Sequence, residues 1–99
     1  MDIKAILAQV IQPYAGEMLN GHAYLTVSPA QDIFTIVSVA KFKSERVTHL
    51  SLHVRVDRDH IIIEYDDSNE PLVDALVHAG VPRSQIILAY AGEPVPESI

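Results

Sequence analysis

Between Val47 and Asp57 the chain reads VTHLSLHVRVD. Apolar and polar residues alternate there, which predicts a β-strand. Leu50, Leu52, Val54 and Val56 fall on one face of that strand, and His49, Ser51, His53, Arg55 and Asp57 on the other. Neighbours on one face stand ~6–7 Å apart, so an imidazole, a guanidinium and a carboxylate are brought within reach of one another. Those are the groups of an acid–base site. Acid–base chemistry also needs a pocket and a shifted pKa, and alternation predicts neither. A cross-strand polar network uses the same residues. His49, His53, Arg55 and Asp57 are therefore the expected contacts for a partner or ligand, with His53 the one to watch and no residue assigned to catalysis.

The five histidines raise the question of a metal. On a strand, His49 and His53 are separated by roughly 13 Å at ~3.3 Å per residue. Metal–nitrogen bonds of about 2.1 Å do not bridge that distance. No metal or other cofactor is expected. Ser28, Ser38, Ser51 and Ser84 lie in no G-x-S-x-G turn. The glycines at 16, 21, 80 and 92 form no phosphate-binding loop. The stretch FKSER is locally basic through Lys41, Lys43 and Arg46. It reads first as a solvated strand end.

The elements that must position these residues are legible from periodicity. Ile3, Ile6, Leu7, Val10, Ile11, Tyr14 and Met18 recur at helical steps. Asp2 stands where a helix cap belongs. Pro13 predicts a kink, or a break into a second short segment, and Asn20-Gly21 a turn. Residues 23–27 and 33–42 predict strands, the second (IFTIVSVAKF) apolar on both faces. A polar connector, 43–46, leads to the strand already described. DRDH then turns into IIIEY, completing an antiparallel hairpin. Ser68 or Asn69 is the expected cap of a second helix, with Pro71 in its first turn. Leu72, Val73, Leu76 and Val77 are its apolar stripe. Gly80 sits where that helix must stop in a left-handed conformation, and Pro82 forbids its continuation. QIILAY becomes a last short strand. The expectation is an α+β fold: N-terminal helix, four-stranded mostly antiparallel sheet, second helix, short C-terminal strand. Residues 1–99 form one domain with a loose tail at 91–99.

Length and composition bound the function. Ninety-nine residues, 48% of them hydrophobic, build one core. With no cysteine there is no disulfide, zinc thiolate or cysteine nucleophile. Seven Lys and Arg against thirteen Asp and Glu leave a net charge of −6. That is a poor endowment for neutralising phosphates, and suits a basic protein partner instead. No apolar run approaches the ~20 residues that span a bilayer, and no secretion signal opens the chain. A cytoplasmic protein without membrane contact is expected. Since 33–42 is apolar on both faces, a homodimer contacting through this sheet is expected, with the His49–Asp57 face nearer its rim.

From Arg46 to Pro94 the chain resembles the XisI family, small cyanobacterial proteins named as fdxN-element excision controlling factors. Arg46, His53, the IIIE strand and above all LVDALVHAGVPRSQIILAY match the family pattern in order and spacing. The N-terminal helix fits the family's opening helix. This chain departs in having no tryptophan, in reading DSNE at 67–70 where the family has DGTE, and in its shortened C-terminal segment. The resemblance implies an α+β domain, commonly a homodimer, that serves as an accessory factor in site-specific DNA excision beside a nuclease-like XisH-like partner. Direct DNA binding, or a small enzyme centred on His53, are the alternatives.

Overall fold

The structure is a computed structural model that describes residues 1–96. Helix α1, Ile3–Val10, starts where Asp2 accepts a hydrogen bond from the Ala5 amide at 3.1 Å. It buries Ile3, Leu7 and Ile11, one residue per turn. Pro13 breaks it. A single 3₁₀ turn, Gln12–Tyr14, carries that proline in its first positions, where its missing N–H leaves no bond unmade.

Beyond the break the chain is extended, so the apolar period running to Met18 does not describe a helix there. Gly16–Met18 is strand β1, paired antiparallel with β2, Gly21–Val27. Next come β3, Ile33–Phe42, β4, Glu45–Asp57, and β5, His60–Asp66. Helix α2, Leu72–His78, crosses from β5 to β6, Ile86–Leu88. The sheet has six strands in the order β1-β2-β3-β4-β5-β6, not the four expected. All pairs are antiparallel except β5 with β6. The short last strand expected in QIILAY joins the sheet as β6, and the strand not foreseen is β1, a three-residue edge strand whose pairing depends on the neighbour that accepts it rather than on its own pattern.

Helix α2 has no side-chain cap from Ser68 or Asn69. Asp66, at the end of β5, takes that role: its carboxylate accepts from the Leu72 amide at 2.8 Å and from the Ser68 amide at 2.9 Å. The helix ends as expected. Gly80 has φ +106°, its amide bonds the Val77 carbonyl, and the Val81 amide bonds the Leu76 carbonyl. This double closure is the Schellman motif, with Val81 packed into the core beside Leu76. The tail is less loose than expected. Ala89–Ala91 forms a 3₁₀ turn, and Glu93 bonds both Arg83, at 2.6 Å, and the Leu88 amide, at 2.8 Å. Residues 97–99 lie outside the described residues.

Both helices cover the same face of the sheet. Ile3, Leu7, Leu72 and Leu76 meet Phe34, Ile36, Leu52, Val54, Ile61 and Ile63 in one buried cluster. The opposite face has no helix over it. Tyr24, Ile33, Leu50 and Tyr65 are exposed there. The helices do not reach the far end of the β3–β4 hairpin, where residues 41–50 are exposed throughout. Lys43 and Ser44, at φ +50° and +72°, close this arm in a two-residue turn. The connector expected at 43–46 is thus only its turn, and β4 begins at Glu45.

Candidate functional site

One irregularity in the sheet decides which side chains can act together. Ile36 pairs with Leu52, but Val37 pairs with Leu50, leaving Ser51 as the extra residue of a β-bulge. A one-residue slip reverses the faces of everything beyond it. Leu52, Val54 and Val56 face the helices, and so do Ser51 and His49; Leu50 is turned to the open face. The expected grouping of His49 with His53, Arg55 and Asp57 therefore fails. His53, Arg55 and Asp57 share the open face, and His49 stands on the other side of the sheet.

The open-face residues are tied to neighbours. His53 Nδ1 lies 2.9 Å from the Thr35 hydroxyl. Arg55 donates to Glu64 through Nε at 2.8 Å and holds the same oxygen through a terminal nitrogen at 2.7 Å. A second bulge, between the His53–Tyr65 and Val54–Ile63 pairs, makes Glu64 the extra residue and aims it at this arginine. Arg55 also pairs across the strand with the fully buried Ile62, which the helical cluster does not include. Asp57 lies 3.9 Å from Arg58. His53 lines neither of the molecule's two described cavities. These contacts are those of a surface network.

His49 belongs to a different place. Where the 3₁₀ turn, β1 and the 67–70 loop stand off the sheet, they leave a groove of about 500 Å³. Ile36, Leu52, Ala23, Ala40, Val47 and Met18 make its apolar walls. In its floor the Ser38 and Ser51 hydroxyls bond each other at 2.6 Å, Ser38 being only 7% exposed. At one rim His49 Nε2 meets the Asp67 carboxylate at 2.7 Å. At the other, the Tyr14 hydroxyl donates to the Glu70 carbonyl at 2.8 Å. Burial, with the negative charges of Glu70, Asp66 and Asp74, pushes the Tyr14 phenol up to about 12. The field along this edge is therefore negative.

Chemically the groove combines apolar walls with a negative rim, a surface suited to an apolar group flanked by positive charge. It has the residue types of a serine, histidine and aspartate set without its connection. The two serines bond each other, and neither bonds His49 in the described hydrogen bonds. Among the described residues no group of histidine and carboxylate side chains is arranged to hold a metal. Sequence reasoning missed Tyr14, Ser38, Asp67 and Glu70 as site residues. Only Ser38 carried a signal, as a lone hydroxyl facing inward within IFTIVSVAKF; the other three are assembled by the fold.

The molecule so described is a small α+β protein: one mixed sheet, helices on one face, a surface groove and a projecting hairpin. The XisI protein family model matches residues 2–97, and the chain belongs to that family. Its fold is similar to the crystal structure of the fdxN element excision controlling factor XisI from Anabaena variabilis ATCC 29413. The TM-score there is 0.67 at 22% identity, over 96% of this chain and 92% of that one. A XisI-like protein from the same organism gives a TM-score of 0.65 at 17% identity, over 87% and 78% of the two chains. No curated protein matches the chain. No helix among the described residues is long and apolar enough to cross a membrane.

Proposed function

We propose that this chain is a non-enzymatic accessory factor for site-specific excision of a DNA element, and that it works through a protein partner, an XisH-like nuclease-like protein. The observation that carries this reading is the disposition of its positive charge. Three of the seven cations, Arg55, Arg58 and Arg83, sit beside Glu64, Asp57 and Glu93. Thirteen carboxylates outnumber all seven. Duplex binding by charge needs several free cations in register with phosphates, whereas an acidic surface attracts and orients a basic protein. The open face, with Tyr24, Ile33, Leu50 and Tyr65 exposed around the Thr35–His53 and Arg55–Glu64 pairs, has the apolar and polar mixture of a protein contact.

Direct DNA contact is the second reading, favoured by Lys41, Lys43 and Arg46 at the tip of the arm. One experiment separates the two. The chain is co-expressed with its XisH-like companion, treated with nuclease and sized by chromatography, and the chain alone is titrated with duplex DNA by fluorescence anisotropy. A complex that survives nuclease, with no DNA binding at micromolar concentration, is expected. DNA binding whose affinity falls with salt as about three released counterions, and no complex, would overturn the reading.

A further inference from the structure

Along its arm, β4 has a neighbour on one side only. Strand β5 pairs with it from Leu52 onward, and the Asp67 amide makes one further bond, to the Ser51 carbonyl at 2.8 Å. Among the described residues no strand lies against residues 45–50 on that side, and all of them are exposed. The alternation of an antiparallel ladder says which backbone groups are left there. The two-residue turn at Lys43 and Ser44 makes Phe42 and Glu45 a hydrogen-bonded pair. Ala40 with Val47 and Ser38 with His49 repeat that pairing at every second residue. Lys41, in an intervening pair, turns its backbone toward β2 instead. Its amide bonds the Asn20 carbonyl and its carbonyl accepts from the Asn20 side chain, each at 2.9 Å. Its partner Arg46, and Thr48 two residues on, therefore present their N–H and C=O outward, from the free edge of β4.

The side chains along this edge are ordered too. Arg46 and Thr48 face the open side, and Glu45, Val47 and His49 the helix side. Val47 and His49 wall the groove, and Asp67 meets His49 at 2.7 Å. Glu45 joins no described ion pair. On the helix side the edge thus runs carboxylate, valine, carboxylate-bound imidazole, with the groove beside the valine. A strand laid antiparallel on this edge would set its own residues directly opposite these three, with Cβ atoms ~4.5–5.5 Å away.

We propose that the basic protein partner docks by adding an extended segment to the free edge of β4. Its backbone pairs with Arg46 and Thr48. On the helix side it sets a cation opposite Glu45, a large apolar side chain opposite Val47 and into the groove, and a second cation at Asp67. The segment recognised is basic-x-apolar-x-basic. Main-chain bonds supply its affinity and the alternate side chains its specificity. A second copy fits this edge less well: paired about Val47, it would set its own Glu45 opposite His49, a further carboxylate beside Asp67. The inference rests on the partner reading above and adds to it the docking element and the sequence that element selects.

The test uses the complex with the nuclease-like companion. Thr48→Pro deletes an outward amide and spares the ladder to β3, a position where an edge strand tolerates proline. A second variant carries Glu45→Lys and Asp67→Lys; both side chains are exposed, and Asp66, which caps α2, is untouched. Each variant is expected to keep the native circular dichroism and to bind the companion roughly tenfold more weakly or worse. Residue-level amide exchange by NMR reads the pairing directly: Arg46 and Thr48 should exchange fast in the chain alone and on the order of tenfold or more slowly in the complex. If Thr48→Pro loses its fold, the charge variant and the exchange measurement decide. A native complex indifferent to the charge variant, or one in which both amides exchange as fast as in the free chain, overturns the docking element and leaves the partner reading standing. The absence of any native complex overturns the partner reading, and the docking element with it. Amides already protected in the chain alone, together with a dimer mass by light scattering, would assign the edge to a second copy and overturn the proposal.

Discussion

Gly80 offers a clean perturbation, because its environment separates backbone strain from crowding. A Cβ built on it meets no atom within 4 Å, so any cost of substitution is conformational. Its φ of +106° lies well beyond the left-handed well near +57° that other residues reach at a cost of about 1–2 kcal/mol. Against this, an alanine restricts the unfolded chain, which returns about 0.4–1 kcal/mol. The difference for Gly80→Ala is a loss of about 1 kcal/mol, or a fall of roughly 4–8 °C in melting temperature for a domain of this size. Gly80→Val adds a β-branched side chain that tolerates positive φ worst, and a loss of about 2 kcal/mol is expected. Asparagine, which accepts left-handed backbone best among the rest, should fall between glycine and alanine. Urea unfolding followed by far-ultraviolet circular dichroism measures all three at constant slope. If alanine matches glycine in stability, or valine proves no worse than alanine, the Schellman closure at Val77 and Leu76 does not depend on positive φ and the reasoning fails.

Two further outcomes follow from single residues. Gly21 fails for the opposite reason: a Cβ there would stand 2.1 Å from the Val39 carbonyl oxygen and 2.6 Å from the Ala40 Cα, both backbone. Gly21→Ala must push β2 off β3, and a loss of about 3 kcal/mol is expected in the same unfolding assay, at the upper end for overpacking. Tyr14 should reveal itself in an alkaline titration followed by phenolate absorbance, as the component near pH 12, absent from Tyr14→Phe. Its folded pKa lies above the unfolded value of 10.0, so the folded state holds the proton more tightly. The stability it contributes is complete below pH 10 and is lost as pH rises from 10 toward 12. A native chain and a Tyr14→Phe variant with the same pH dependence of stability over that interval would contradict the burial of the phenol.

Local signals determined a good part of this molecule. Asp2 marks the start of α1 and Pro13 its end, because a cap and a missing amide act within one turn. Gly80 and Pro82 stop α2 for equally local reasons. The alternation from Leu52 to Asp57 and the DRDH turn specify the β4–β5 hairpin, and the order of these signals is enough to carry the family resemblance. The candidate site was another matter. Its key step is the bulge at Ser51, which turns His49 away from His53 and toward Asp67, eighteen residues on. No residue type announces that bulge; it arises where β4 must keep Leu52 against the helices while its far end pairs with β3 beyond their cover. The three-residue strand Gly16–Met18 has the same origin, since an edge strand is stabilised by the neighbour that receives it. The cap from Asp66 and the juxtaposition of Tyr14 with Glu70 join residues that only the closed core brings together. Contacts within a turn or a hairpin are decided by the residues themselves, and a groove whose walls come from four separate segments exists only once those segments have packed.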